Sequence, residues 1–329
     1  SEERREMIRI LTDFAKKVRP NVREIIDSYS LMAAIDFIRA KAELARYFKA
    51  FEPEVKAEPH IDWIRAIHPL LQLSLERKCK ERLNTSLSTE EEVSSKDTDD
   101  SLSAQEIELV SEDNNTSTSV PKSVVPLDIQ LTKDKYLLII SGPNAGGKSV
   151  CLKTVGLLQY MLQCGLSIPV GDRSTTGLFS DIMIDIGDEQ SIENDLSTYS
   201  SHLMNMKVMM RQASDSTLIL IDEFGTGTEP QIGGAIAEAV LKQLWEKHAW
   251  AVITTHYQNL KHFAEAHPGT ANGAMLYDRH EMRPLFQLAI GRPGSSFAIE
   301  IARKTGIPEA VIKDASSIVG SDYIQSDKY

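Results

Sequence analysis

Tyr136-Leu137-Leu138-Ile139-Ile140-Ser141-Gly142-Pro143-Asn144-Ala145-Gly146-Gly147-Lys148-Ser149 decides how this 329-residue chain folds. Its first five residues are an unbroken apolar run of strand length, closed by a glycine turn. Gly142 to Ser149 fits Gly-x-x-x-x-Gly-Lys-Ser/Thr, a loop between strand and helix whose backbone N–H groups wrap phosphates. Helical spacing resumes over about 149–164, so the loop stands in the context it requires. Lys148 is placed to reach β- and γ-phosphates and Ser149 to ligate Mg2+, while the helix N-terminus favours an anion. The bland alternative is a glycine-rich turn; with glycine at about 7% of residues, an accidental match is roughly a one-in-a-hundred event.

Downstream the α/β pattern continues. Thr217–Ile221 and Trp250–Thr254 read as two more short buried strands, with helical stretches near 200–213 and 232–247. Strands alternating with helices imply a mostly parallel sheet covered on its faces. The second strand ends in Asp222-Glu223, which puts two carboxylates at the carboxyl edge beside the phosphate loop. There Asp222 can hold Mg2+ and Glu223 can polarise an attacking water. Alone, an acid pair after an apolar strand is better read as a solvated strand end; the loop upstream reverses that. Thr254-Thr255-His256 closes the third strand, and a histidine there can sense or stabilise γ-phosphate charge. Taken singly, such a histidine is more often structural.

Before residue 121 the composition is different. Residues 4–19 and 22–50 carry apolar side chains at helical spacing, and neither helix is stable without a partner for its stripe. An antiparallel pair or a lever is expected over 1–57, ahead of the nucleotide domain at 58–329. Between them and the loop, about 84–120 is rich in Ser, Thr, Asp, Glu and Asn and has no aromatic residue. Such a segment buries too little apolar area to offset its ordering entropy, so a disordered surface insertion is expected. It holds ten acids and one base between Glu90 and Asp113, a net −9 of the chain's −11. The remainder is near neutral, so charge neither supports nor excludes a polyanionic partner. Cys79, Cys151 and Cys164 form no paired framework, which makes a reducing, cytoplasmic setting the default. No apolar run approaches bilayer length, and Ser1 opens inside a helical pattern, so a piece of something longer is expected.

The series phosphate loop, Asp-Glu, then His on successive strand ends resembles the ABC-type ATPase arrangement. Gly142-Pro143-Asn144 with Gly146-Gly147-Lys148-Ser149 resembles the phosphate loop of the MutS family, whose Pro-Asn pair most such loops lack. Asp222-Glu223-Phe224-Gly225-Thr226-Gly227-Thr228 resembles that family's Walker B and following loop, Leu196-Ser197-Thr198-Tyr199 its Ser-Thr-aromatic signature, and Ile67-His68-Pro69-Leu70 its entry to the ATPase domain. Asp185–Ile192 and Leu152–Leu157 are closer to the second MutS subfamily, whose members usually carry a C-terminal Smr domain. The likeness covers roughly 60–315, with the acidic insert a departure that interrupts no motif.

It implies a P-loop ABC-type ATPase domain that binds ATP and Mg2+ through Gly142–Ser149 and Val150, with Asp222 and Ser149 on the metal. Glu223, His256 and Lys148 would be its catalytic residues. It also implies a homodimer that sandwiches ATP, Ser197 and Thr198 facing the partner's γ-phosphate and Gly225–Thr228 crossing the interface. An ordinary N-cap explains Ser197 and Thr198 equally well. The end of the chain, about 295–320, resembles the helical end of that domain, which in the family helps to dimerise. The three tryptophans show no interleaving with bases, and no recognition helix or zinc motif is visible. DNA, branched or mismatched, would therefore be held mainly by parts outside this chain. The same engine acting on a ribosome stays open. A transporter subunit is disfavoured because Ser197-Thr198-Tyr199 stands in place of Leu-Ser-Gly-Gly. A non-catalytic scaffold is disfavoured by the intact motifs.

Overall fold

The computed structural model describes residues 2–94, 123–143, 146–186, 195–278, 281, 283–294 and 298–319. Helix α1 (Glu2–Val18) and helix α2 (Val22–Phe48) are joined by a 3-10 turn over Arg19–Asn21. Val18 and Val22 keep right-handed helical backbone angles, while Asn21 between them departs from the helix (φ −101°, ψ 3°). The apolar stripes stay open, with Phe14 and Ile38 each 65% exposed, and Phe48 is the buried residue of the two helices. Just beyond, Phe51 and Ile168 exchange backbone hydrogen bonds of 2.9 and 3.1 Å, which fastens the root of α2.

A small sheet comes next, in the order β1 (Glu54–Lys56), β5 (Thr175–Gly177), β2 (Ile61–Ala66), β3 (Leu127–Leu131). Ile61 and Trp63 alternate inward on β2, a bulge before Ala66 shifts the register, and the three meet Leu131, Ile129 and Leu127 of β3. Helix α3 (Pro69–Ser94) leaves β2 and runs into the stretch expected to lack structure. Composition averaged over 84–120 hid the switch: the Glu90-Glu91-Glu92 end still favours helix, whereas the Asp-, Asn- and Thr-rich remainder does not. Residues 95–122, where the rest of that expectation falls, lie outside the described residues.

The large sheet is six-stranded among the described residues. Its order is β10 (Arg283–Ile290), β9 (Gly269–Asp278), β4 (Lys135–Ser141), β8 (Trp250–Thr254), β7 (Thr217–Ile221), β6 (Asp181–Asp185). All pairs are parallel except the β9–β10 hairpin, so the expected mostly parallel α/β fold is the one observed. The three apolar runs of the sequence lie side by side at its centre as β4, β8 and β7. Every residue of β7 and β8 is buried, as strands covered on both faces must be. Helices α4 (Lys148–Gln163), α5 (Asp195–Gln212), α6 (Pro230–Glu246) and α7 (Gln258–Ala266) provide the cover. Helices α8 (Ala298–Lys304) and α9 (Glu309–Val319) end the described chain. Parallel strands bring their carboxyl ends to one edge, and the candidate residues of the sequence follow those ends.

Candidate active site

Strand β4 delivers the phosphate loop. Gly142 (φ +136°) turns the chain, the Gly146 N–H donates to the Pro143 carbonyl at 3.0 Å, and Gly147 (φ +92°) caps α4 in the left-handed region. That cap is a glycine and makes no side-chain capping hydrogen bond. A Cβ on Gly147 would also sit 3.1 Å from Phe286 Cδ1, which makes glycine the residue that fits. Asn144 and Ala145 lie outside the described residues. Ser149 is half-buried on the first turn of α4, with Val150 exposed beside it.

Lys148 is only 2% exposed and folds back over its loop, donating to the Gly142 carbonyl at 2.7 Å. Its Nζ also lies 3.2 Å from His256 Nε2. Burial pulls its pKa down to about 8, against the opposing pull of Glu223 and Asp222. His256 is pushed below the usual histidine range, by burial first and then by Lys148 and Lys261. The two nitrogens are close enough to share a ligand, and a polyanion would reverse the direction of both shifts.

Asp222 and Glu223 leave the end of β7 and are tied to β8 through one side chain. The Thr254 hydroxyl donates to Asp222 Oδ1 and accepts from the Glu223 N–H at 2.8 Å. Glu223 holds φ +48°, a costly setting for a residue with a Cβ, and such strain persists where surroundings enforce it. Beyond it, Gly225 (φ +91°) lies against α6: a Cβ on Gly233 would fall 2.3 Å from the Gly225 carbonyl oxygen. Tyr257, next to His256, donates to that same carbonyl at 3.0 Å. Gly227 packs on Tyr199 of α5. Ser197 and Thr198 fall in the first turn of α5, and their side chains lie outside the described residues.

Between the loop and the β9–β10 hairpin lies an apolar cavity of about 280 Å3, lined by His68, Leu71, Val124, Val150, Met275 and Phe286 among others. His68 Nδ1 accepts the Leu71 N–H at 3.2 Å, and burial holds its pKa below the usual range. The hairpin leaves no clear signal in the sequence, and with it Met275 and Phe286 go unannounced.

Two further buried charged residues carry contacts that the sequence does not announce, Asp185 although it opens a stretch of family likeness and Lys261 outside any motif. Asp185 ends β6, is 5% exposed, and accepts from His202 Nδ1 at 2.8 Å and Asn205 Nδ2 at 2.9 Å. Lys261 of α7 is 7% exposed and donates to the Gly294 carbonyl at 2.9 Å, while the Gly294 N–H donates to Ser141 Oγ at 2.7 Å. That strap holds residues beyond β10 against the strand that feeds the phosphate loop. The short apolar run Ile182-Met183-Ile184 between two aspartates hints at a strand; nothing in the spacing of α7 announces a buried lysine.

Known proteins share this arrangement of sequence. The family model described as MutS domain V matches residues 138–321. Proteins named Endonuclease MutS2 are similar along nearly the whole chain. That of Lactiplantibacillus plantarum is 36% identical over 97% of the chain and 35% of its own length. That of Pelotomaculum thermopropionicum is 36% identical over 99% of the chain and 35% of its own length. That of Thermomicrobium roseum is 37% identical over 99% of the chain and 36% of its own length. The chain thus spans about a third of the length of the curated relatives it matches. Among the described residues no helix is long and apolar enough to cross a membrane. A domain V match over more than half of the sequence, on the sheet whose edge gathers these motifs, makes the chain a member of the MutS family.

Proposed function

We propose that the chain binds and hydrolyses ATP at the carboxyl edge of the large sheet. The observation that carries this reading is the convergence of Lys148, the Asp222–Glu223 pair and His256 there, beside a glycine-built cradle at a helix N-terminus. The triphosphate would take the N–H donors of the loop and α4, with the adenine in the apolar cavity against Phe286 and Met275. Lys148 would leave the Gly142 carbonyl for the β- and γ-phosphates. Ser149 and Asp222, a hydroxyl and a carboxylate, are the oxygen donors that suit Mg2+. When bound, that ion neutralises phosphate charge. Glu223 would orient and polarise the attacking water, and His256 would face the γ-phosphate.

The site is taken to be completed by a second copy whose Ser197 and Thr198 meet the γ-phosphate, giving a homodimer around ATP. In the complete protein the engine would act on DNA, branched or mismatched, held mainly by parts outside this chain. The relatives are named endonucleases, which favours a nucleic acid as the target. The cytoplasm is the proposed compartment, in keeping with three free cysteines.

Light scattering after size exclusion tests the reading on the Glu223→Gln chain, with and without Mg-ATP. An ATP-dependent rise from monomer to dimer mass, abolished by Lys148→Ala or Ser197→Arg, is expected. A mass indifferent to nucleotide, with binding confirmed, removes the role of Ser197 in trans. Absence of ATP binding removes the reading as a whole.

A further inference from the structure

We propose that Asp185 is a positioning residue for the trans half of the composite site, setting the pose of α5 through His202 and Asn205. The inference rests on the shared-site reading above and deepens it. Both partners lie on one face of α5, three residues apart, just behind the turn that carries Ser197 and Thr198. The two carboxylate oxygens are divided between them, Oδ2 to His202 and Oδ1 to Asn205.

Among the described residues the buried side chains of α5 are Met206 and Met209, flexible thioethers that adapt their packing, with Leu203 and Met210 partly buried beside them. A buried carboxylate held by two directed hydrogen bonds is different. It is unfavourable unless both donors stay in place, so it selects one rotation and one axial register. At its other side Asp185 is bound into the catalytic edge: β6 pairs with β7 in the register Asp185↔Ile221, and the Asp185 carbonyl accepts the Asp222 N–H at 2.9 Å. The signature helix of each copy is thereby referenced to the strand that bears its own acidic pair. One protomer's Asp185 would thus serve hydrolysis at the site whose phosphate loop belongs to the other.

Mixed dimers separate this from a general structural role. A Lys148→Ala copy cannot hold ATP but offers an intact signature; a Ser197→Arg copy holds ATP but offers a broken one. Their mixture has one working composite site. Asp185→Asn placed in the Lys148→Ala copy is expected to lower ATP hydrolysis by roughly ten- to a hundredfold, the scale of a misplaced contact. Placed in the Ser197→Arg copy, whose signature is already broken, it should cost hydrolysis severalfold less than in the other copy. Asn205→Ala, a substitution on the solvent side of the clamp, should repeat the asymmetry in milder form, so the test survives if Asp185→Asn does not fold. Equal loss from either copy, loss confined to the Ser197→Arg copy, or no loss would each overturn the inference while the composite site stands. A mixture without any hydrolysis before Asp185 is touched would instead overturn the shared-site reading, and this inference with it.

Discussion

Burial keeps the Lys148 ammonium near a pKa of about 8, so around that pH the nucleotide-free chain carries the charge only about half of the time. A bound triphosphate would restore it. Mg-ATP binding at pH 8 should therefore take up about half a proton, read by calorimetry in buffers of different ionisation enthalpy. Lys148→Met should abolish the uptake and weaken affinity roughly ten- to a hundredfold, as for one charge-assisted hydrogen bond of about 1.5–3 kcal/mol. The sign for folding is the opposite of a salt bridge. Because the folded pKa lies below the unfolded value of 10.5, Lys148 counts against the fold at neutral pH, and that cost fades as pH rises from about 8 towards 10.5. Cys151 gives a second residue-level expectation. Burial lifts its thiol to about 12, while Cys79 and Cys164 are exposed, so a native thiol titration should count two groups and a denatured one all three. Lys148, Asp222, Glu223 and His256 were legible because each closes a motif at a strand end. Asp185 and Lys261 were not, because a single charged residue becomes a buried one only through partners distant in sequence, such as His202 or Gly294.

Elements were legible in proportion to how far their own composition decides their state. Strands β4, β7 and β8 are continuous apolar runs and could be nothing else of that length. Strand β9, by contrast, opens with Gly269-Thr270-Ala271-Asn272-Gly273-Ala274, poor in strand-forming residues, and that half is extended because it pairs with β4. The cavity beside the loop escaped notice with it, since Met275 and Phe286 belong to that hairpin. Helix α3 shows the reverse error, a composition average laid over a boundary. The tightest junction between elements is α6 against the loop after Glu223. Gly233→Ala drives a methyl group into the Gly225 carbonyl, so α6 must withdraw or the loop must shift. A loss of about 1–3 kcal/mol in urea unfolding is expected, the usual cost of overpacking. Because Gly225 comes just after the acidic pair, turnover should fall more than Mg-ATP affinity. Unchanged stability would show that the approach relaxes freely.

Across the whole molecule, helical periodicity could announce α1 and α2 but not what they rest on; that depends on how three residues, Arg19–Asn21, join them. Since Phe48 is the residue of the pair that is buried, removing residues 1–40 should leave the thermal midpoint within about a degree, well below the shift expected of a 1 kcal/mol loss. The same truncation should reduce self-association at high concentration, because the exposed stripe of Met7, Leu11, Phe14, Ile35 and Ile38 goes with it. A large fall in the midpoint would mean that the lever carries part of the core. Its attachment has a mechanical meaning. Helix α4 starts at the phosphate loop, and a few residues past its other end Ile168 is paired with Phe51 at the root of α2. At about 1.5 Å per residue α2 reaches roughly 40 Å from that fastening, so a tilt of about 10° there sweeps its far end through about 7 Å. Were the fastening driven from the phosphate-loop end of α4, the arm would work as a gear, turning a small adjustment into a stroke wide enough to open or shut a grip.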